Sequence, residues 1–213
     1  MCPLKTPSLR QCRANLGRAC PNQPLTSLLS AAPPQVTYNR GTMIDVETRV
    51  LTERDAEAYW NLRLEALERE AQSFTESAEE HRATSIESAA ARLREADGAS
   101  FVMGAILSGE LVGMAGFFRE KHLKARHKGR IWGVYVKANC RGRGIGRLLF
   151  SALLQKIKTL PGLEQVNLTV SSRQVAAKTL YHSLGFETFG LERAAFKIGE
   201  QYFDEEYMVL RLR

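Results

Sequence analysis

The chain has 213 residues, of which 44% are hydrophobic, and its formal net charge at pH 7 is +7. This composition excludes a fibrous or wholly disordered protein and suffices for one hydrophobic core, so we expect one folded domain. The charge is unevenly distributed: residues 1–42 hold five basic and no acidic side chains, which leaves +2 for residues 43–213. The nearly balanced charge of that second part argues against a nucleic-acid-binding domain.

The first 42 residues differ in composition from the rest. Six of the seven prolines and three of the four cysteines precede Met43. Since no hydrophobic periodicity accompanies them, we expect a disordered basic extension. Its acid-free composition also fits an organelle-targeting peptide, and a translation start upstream of a true start at Met43 fits as well. The cysteine spacings match neither a zinc site nor a disulfide framework, and no apolar run is long enough to cross a bilayer, so we expect a cytoplasmic protein.

Regular hydrophobic patterns begin after residue 43. The stretch "IDVETRVL" alternates as a half-buried strand does, and "RDAEAYWNLRLEALERE" has the period of a helix. Thr52, with Asp55 three positions later, is the predicted cap of this first helix. A second, polar-faced helix is predicted to begin after Ser77 or Thr84 and to run to Ala96.

The remaining pattern combines hairpins with helical crossovers. "SFVMGAIL" and "LVGMAGFF" flank a short glycine turn and predict a hairpin, which the strand "RIWGVYV" follows. A helix then ends at "PG" (161–162), and a strand "QVNLTV", a helix "QVAAKTLYHSL" and two strands (186–191 and 203–211) complete the chain. The predicted order is β-α-α-β-β-β-α-β-α-β-β, an α+β class with a mixed sheet.

The turn "NCRGRGIGRLLF" (139–150) is predicted to bind a diphosphate. Amides at the start of a helix lack acceptors, and the helix dipole adds positive charge to them. Glycines allow close approach, and the arginines of this turn suit phosphate oxygens. A P-loop is excluded because no Gly-Lys-Ser/Thr follows, and the dinucleotide fingerprint is excluded because Arg147 replaces its last glycine.

Two motifs resemble the GNAT superfamily of acetyl-CoA-dependent N-acetyltransferases. "RGRGIG" (141–146) is similar to its Q/R-x-x-G-x-G/A motif, and "TLYHSLGF" (179–186) to its L-Y-x-x-x-G-F segment. In addition, "LRLEAL" and "SFTESAEE" resemble the amino-terminal half of many bacterial members. The resemblance spans residues 43–213. It implies the GNAT fold: a mixed, mostly antiparallel sheet of six or seven strands, flanked by about four helices, with two strands splayed at the cofactor site.

The resemblance also implies where acetyl-CoA binds. The pantetheine arm would pair with the strand around Tyr135, the glycine turn would hold the diphosphate, and Gly133 would permit a bulge or leave a packing gap beneath Trp132. Gln174 stands where members often have asparagine, so its side-chain contact with the cofactor is open. The cofactor-binding residues are then Val134, Tyr135, Val136, Arg141, Gly142, Arg143, Gly144, Ile145, Gly146, Arg147 and Gln174.

The implied reaction is direct attack of a primary amine on the thioester in a ternary complex, without a metal. Tyr181 stands where members place the general acid for the departing thiolate. Because the pKa of tyrosine is about 10 and that of a thiol about 8.5, hydrogen bonding suits Tyr181 better than full proton transfer. The general base is open among Glu65, Glu79, Glu80 and water. Tyr135 is a further candidate for the acceptor pocket.

Two alternatives and several open points accompany this interpretation. A cysteine-nucleophile hydrolase would need His182 near Cys140. An RNA-binding module would use the basic tail and the segment 119–130, although stacking aromatics are not interleaved there. We expect no nucleic-acid or membrane partner. The sequence leaves the acceptor open among a small amine, an amino acid, an antibiotic and a protein N-terminus or lysine. The oligomeric state is also open, with a homodimer the commonest assembly.

Overall fold

The computed structural model describes residues 35–39, 42–94 and 99–212. The strands and helices are β1 (Gln35–Asn39), β2 (Thr42–Val50), α1 (Ala56–Arg69), α2 (Ala78–Arg82), α3 (Ile86–Arg94), β3 (Ser100–Leu107), β4 (Glu110–Arg119), β5 (Lys128–Val136), α4 (Ile145–Lys158), β6 (Gln165–Ser171), α5 (Val175–Ser183), β7 (Glu187–Ile198) and β8 (Gln201–Arg211). None of these helices is long and apolar enough to cross a membrane.

The strands form one mixed sheet in the order β1-β2-β3-β4-β5-β6-β8-β7. All neighbouring strands are antiparallel except β5 and β6, which are parallel. This is the mixed, mostly antiparallel sheet that the sequence resemblance implies, with β1 added at one edge. The predicted disordered extension included Gln35–Asn39, which the structure places in β1; residues 1–34 lie outside the described residues.

Helices cover both faces of the sheet and divide the core in two. One buried cluster contains Leu149, Phe150 and Leu153 of α4 with Tyr181 of α5. The other contains residues of α1 and α3 packed on the opposite face, among them Tyr59. The split follows from strand alternation, because successive side chains point to opposite faces. The sheet between the two layers carries the cleft described below.

The predicted second helix is two helices, α2 and α3. The Ser77 hydroxyl accepts a hydrogen bond from the Glu80 amide at 3.1 Å and thereby caps the start of α2. Ser85, and not Thr84, accepts the Ser88 amide at 3.2 Å at the start of α3. Thr84 instead donates its hydroxyl to the His81 carbonyl oxygen at 2.7 Å. The predicted cap at Ser77 is confirmed, whereas Thr84 and the single continuous helix are wrong, because a second capping serine, Ser85, begins a separate helix. The predicted end of the helix lies outside the described residues.

The cap of the first helix is confirmed at Thr52. Its amide donates to the Asp55 carboxylate at 2.8 Å, and a single 3-10 turn leads into α1. Arg49 of β2 holds the same carboxylate through two hydrogen bonds of 2.7 and 2.8 Å. These bonds lower the pKa of Asp55 to about 2. The ionised pair therefore ties β2 to the start of α1.

Candidate active site

The cleft begins where β5 and β6 separate. The two strands pair only over Lys128–Arg130 and Gln165–Asn167. β5 then bulges, because Trp132 pairs with Gly116 while Tyr135 pairs with Met114, so that Gly133 and Val134 together face Ala115. A bulge bends its strand and breaks the ladder locally. The diverging strands therefore leave backbone groups of β5 available to a ligand.

Gly133 permits the bulge of β5 and does not provide the space for the Trp132 ring. Its φ is +63°, a conformation that residues with a Cβ rarely adopt. The gap for the indole ring is instead at Gly116, where an added Cβ would lie 2.3 Å from Trp132. Of the two roles that the sequence leaves open for Gly133, the structure thus favours the bulge.

A cavity of about 390 Å³ occupies the space between the diverging strands. Every predicted cofactor-binding residue except Arg143 lines it, and so does Tyr181. The other lining residues are Glu70, Ser73, Phe74, Ile131, Trp132, Gly133, Leu168, Thr169, Val170, Ser171, Ala176, Ala177 and Leu180. A cavity of this size, apolar in part and with polar groups at defined places, is typical of a ligand site.

The glycine turn closes one end of the cavity and begins α4. Gly142 and Gly144 have φ of +74° and +82°, and an added Cβ on either would meet no atom within 4 Å. The amides of residues 145–147 lie in the first turn of α4, where N–H groups have no acceptor within the helix, and the Leu148 amide is the first to bond back, to the Gly144 carbonyl oxygen at 3.1 Å. Such donors, together with the helix dipole, are suited to bind an anion, and the cavity extends up to them.

The three arginines of the turn lie in different directions. Arg141 folds inward: its Nε donates to the Val136 carbonyl oxygen at 2.9 Å and its Nη1 to Glu70 at 2.7 Å. Arg147 donates to the Ser183 hydroxyl at 2.9 Å. The exposed Arg143 does not line the cavity. A candidate anion site at this turn would therefore consist of main-chain amides, with the arginines arranged around it.

The Glu70 carboxylate accepts hydrogen bonds from several polar groups at the wall of the cavity. The sequence analysis did not single out this residue. Besides Arg141, Gln174 reaches this carboxylate, with Nε2 donating to Glu70 Oε2 at 2.9 Å and to the Ser73 hydroxyl at 2.8 Å. The network links the end of α1 to the glycine turn and to the start of α5. Gln174, which replaces the usual asparagine, thus contacts protein groups at the cavity wall.

Comparison with known proteins identifies the family. The model of the Acetyltransferase (GNAT) family matches residues 60–186. The chain belongs to this family. It is therefore an acyltransferase, and the match includes the glycine turn, both cleft strands and Tyr181.

Solved GNAT structures share the fold. Ribosomal-protein-alanine N-acetyltransferase from Brucella melitensis is 26% identical, with a TM-score of 0.67 over 78% of this chain and 99% of that chain. The putative acetyltransferase yncA from Salmonella typhimurium, solved with acetyl-CoA, is 21% identical, with a TM-score of 0.66 over 79% and 95%. Phosphinothricin acetyltransferase from Sinorhizobium meliloti, also solved with acetyl-CoA, is 20% identical, with a TM-score of 0.68 over 78% and 88%.

Tyr181 of this GNAT enzyme lies at the cavity wall with its ring in the core. It is 5% exposed, and its ring centroid lies 4.9 Å from that of Phe150. Burial raises the pKa of Tyr181 well above its ordinary value. The phenol therefore stays protonated at neutral pH and is available as a hydrogen-bond donor.

The three glutamates predicted as possible bases do not line the cavity. Glu65 accepts the Tyr135 hydroxyl at 3.0 Å and lies 3.8 Å from Lys137 Nζ. Burial and then this hydrogen bond raise the pKa of Tyr135 to about 12. Glu80 accepts the Ser77 amide at 2.7 Å as part of a helix cap, and Glu79 is exposed on α2. Of the three, only Glu65 contacts a cavity-lining side chain, through Tyr135.

The features behind the two alternative functions have structural roles. Cys140 is buried and donates to Asn139 Oδ1 at 3.4 Å, while His182 Nδ1 contacts the Phe186 carbonyl oxygen at 3.0 Å. No described contact joins this cysteine to a histidine. In the basic segment, Arg119 donates to the carbonyl oxygens of Pro161 and Gly162 at 3.0 Å. The described residues contain no group of three His, Cys, Asp or Glu suited to a metal ion.

Proposed function

We propose that this enzyme transfers the acetyl group of acetyl-CoA to a primary amine by direct attack in a ternary complex. One observation carries the proposal. A cavity between two diverging strands ends at the start of α4, where the first-turn amides of residues 145–147 have no acceptor within the helix. That combination suits a ligand with a diphosphate at one end and an extended amide-containing arm. We assign this activity to residues 43–213.

The parts of acetyl-CoA correspond to different parts of the cleft. The amides of residues 143–147 would bind the diphosphate. The backbone of Val134–Val136, which has no partner on β6, would pair with the pantetheine amides. Amides at the bulge would polarise the thioester oxygen, which becomes negative as the amine attacks. Tyr181, protonated and at the cavity wall, would donate a hydrogen bond to the departing thiolate.

The release of free thiol from acetyl-CoA in the presence of amines tests the proposal. Two of the amines are suggested by the comparison proteins: a peptide with an N-terminal alanine, and phosphinothricin. Spermidine and an aminoglycoside extend the panel to small polyamines and antibiotics. At least one amine should increase thiol release above the rate without amine, and mass spectrometry should find it acetylated. Release that no amine of any class increases would contradict the proposal.

A further inference from the structure

Arg63 of α1 is buried behind the part of the cavity wall that contains the bulge of β5. It is 6% exposed, and its guanidinium carbon lies 4.6 Å from the ring centroid of Phe74 and 5.9 Å from that of Trp132. An added Cβ on Gly133 would also contact its Nη1. Since Phe74, Trp132 and Gly133 all line the cavity, the guanidinium group packs against three lining residues.

The ion pair with Glu76 uses only part of this guanidinium group. Glu76 Oε2 accepts hydrogen bonds from Arg63 Nε at 3.2 Å and from Nη2 at 2.9 Å, while Oε1 lies 3.4 Å from His81 Nδ1. Arg63 Nη1 is buried and has no hydrogen-bond partner among the described residues. A guanidinium nitrogen can donate hydrogen bonds but cannot accept them. The N–H groups of Nη1 are therefore donors that the fold leaves unused, at a cost in stability that a ligand would remove.

The unused nitrogen faces open space beside Gly133. An atom at the position of a Gly133 Cβ would lie 3.3 Å from Arg63 Nη1, and no other atom of the described residues, apart from the glycine and its chain neighbours, lies within 4 Å of that position. Gly133 lines the cavity at the bulge, where the amides proposed to polarise the thioester oxygen also lie. A ligand group at this point would thus be within reach of Nη1 and close to the reacting thioester.

A second buried polar group without a partner belongs to the other cleft strand. Ser171 of β6 lines the cavity and is 1% exposed, and its Oγ has no hydrogen-bond partner among the described residues. Polar groups that are buried this deeply are normally hydrogen-bonded. Both sides of the cleft thus have an unsatisfied polar side chain, which indicates a polar ligand between them.

The chemistry of Arg63 selects the kind of ligand group. Because Nη1 can only donate, its partner must be a hydrogen-bond acceptor, and a carboxylate matches a guanidinium group in both charge and geometry. The acceptor amine cannot be that partner, because its lone pair must attack the thioester. A cationic partner is disfavoured as well, since guanidinium groups already lie over cavity-lining rings: Arg63 over Phe74, and Arg141 at 5.3 Å from the Tyr135 centroid. The ligand should therefore combine an amine with a separate anionic group.

We propose that the acceptor is an amino acid, or a similar amine with a carboxylate next to its amino group, and that Arg63 Nη1 binds this carboxylate beside Gly133. The proposal rests on the acetyl transfer proposed above and names its substrate class. The bound carboxylate holds the neighbouring amino nitrogen close to the thioester at the bulge. Arg63 thereby determines specificity and takes no part in the bond changes.

The test compares amino acids with their carboxamides in the thiol-release assay at pH 8. L-Methionine and L-phenylalanine, whose apolar side chains suit the rings of Phe74 and Trp132, are measured against L-methioninamide and L-phenylalaninamide. The amino group of a carboxamide is the weaker base and is more fully deprotonated, so basicity alone would favour the carboxamide. We expect kcat/KM to be at least about tenfold higher for the acid of each pair, the effect of one hydrogen bond between charged groups. The acids should also be acetylated faster than spermidine and the aminoglycoside.

Two variants assign the preference to Arg63. Arg63→Lys keeps a positive charge for Glu76 but lacks the forked donors, so the ratio of acid to carboxamide should fall towards one, through a loss of kcat/KM for the acid. Arg92→Gln is the matched control, because Arg92 is exposed and lies over the same Trp132 ring, at 5.5 Å from its centroid. Its ratio should stay within about twofold of wild type, since an exposed charge is screened by salt. Calorimetry with coenzyme A should give Arg63→Lys the affinity of wild type, which separates this role from cofactor binding.

Three results would overturn the proposal: a wild-type ratio of acid to carboxamide of one or less, an unchanged ratio in Arg63→Lys, or a fastest panel amine without a carboxylate next to its amino group. A wild-type enzyme that acetylates no amine of any class would instead contradict the proposed function. Should Arg63→Lys fail to fold, the wild-type ratio and the ranking of the panel amines decide.

Discussion

Replacing Gly144 by alanine perturbs the anion site without a steric clash. Gly144 is the residue before the first turn of α4, its φ is +82°, and an added Cβ would meet no atom within 4 Å. The cost of the substitution is therefore backbone strain alone, about 1 kcal/mol for an alanine in the left-handed region. For a protein of this length such a loss corresponds to a decrease in Tm of about 2–4 °C.

The same substitution should affect binding more strongly than stability. We expect the backbone to rotate part of the way, which leaves some of the strain and turns the amides of residues 144 and 145 away from the diphosphate. A hydrogen bond to a charged group contributes about 1.5–3 kcal/mol, so the loss of one weakens coenzyme A binding roughly 10- to 100-fold. Asparagine adopts the left-handed conformation more readily than alanine, so Gly144→Asn should lie between wild type and Gly144→Ala in both measurements.

Isothermal titration calorimetry with coenzyme A, combined with thermal unfolding of the same samples, measures both effects. The reasoning predicts a modest decrease in Tm together with a large increase in Kd for Gly144→Ala. A variant whose Tm falls as expected while its Kd stays within about twofold of wild type would refute the role of these amides.

Three further substitutions test other parts of the structure. Tyr181→Phe keeps the ring packing and removes only the hydroxyl, so kcat should fall at least tenfold with unchanged acetyl-CoA affinity; a decrease below about threefold would remove Tyr181 from catalysis. Asp55→Asn should destabilise the protein by about 1 kcal/mol at pH 7, measured by thermal unfolding. Since Arg49 lowers the pKa of Asp55 to about 2, this difference should decrease as the pH falls from about 4 through 2, and a difference that keeps its full pH 7 size at pH 2 would contradict the assignment. Glu70→Gln removes a negative charge near the glycine turn, so coenzyme A should bind a few-fold more tightly at low ionic strength, and this gain should be smaller in high salt. Weaker binding at low salt would contradict this expectation and show that the ion pair between Glu70 and Arg141 positions the turn.

Local features of the fold could be predicted from the sequence. The glycine turn, the hairpin of β3 and β4 and the cap at Thr52 each depend on residues adjacent in the chain, and their patterns determine the geometry. The bulge at Gly133 was among the roles predicted for that residue. The cap at Ser77 was predicted, but the division of the second helix was missed, because the sequence pattern does not show that Ser85 begins a new helix.

The polar connections across the site could not be predicted. Glu70 meets Arg141 and Gln174 only after α1 packs beside the cleft. The predicted bases Glu79 and Glu80 lie in the expected helical region, yet Glu80 caps its own helix and Glu79 is exposed. Long-range pairing sets these partners, and no local pattern encodes it.

The most direct measurement of the central claim compares the binding of coenzyme A and of pantetheine, which lacks the diphosphate and nucleotide, by calorimetry. If the amides of residues 143–147 bind a diphosphate, coenzyme A should bind at least about 100-fold more tightly than pantetheine, since two or more charge-assisted hydrogen bonds are lost with the smaller probe. Equal affinity for the two probes, or no uptake of coenzyme A by the folded protein, would contradict the account.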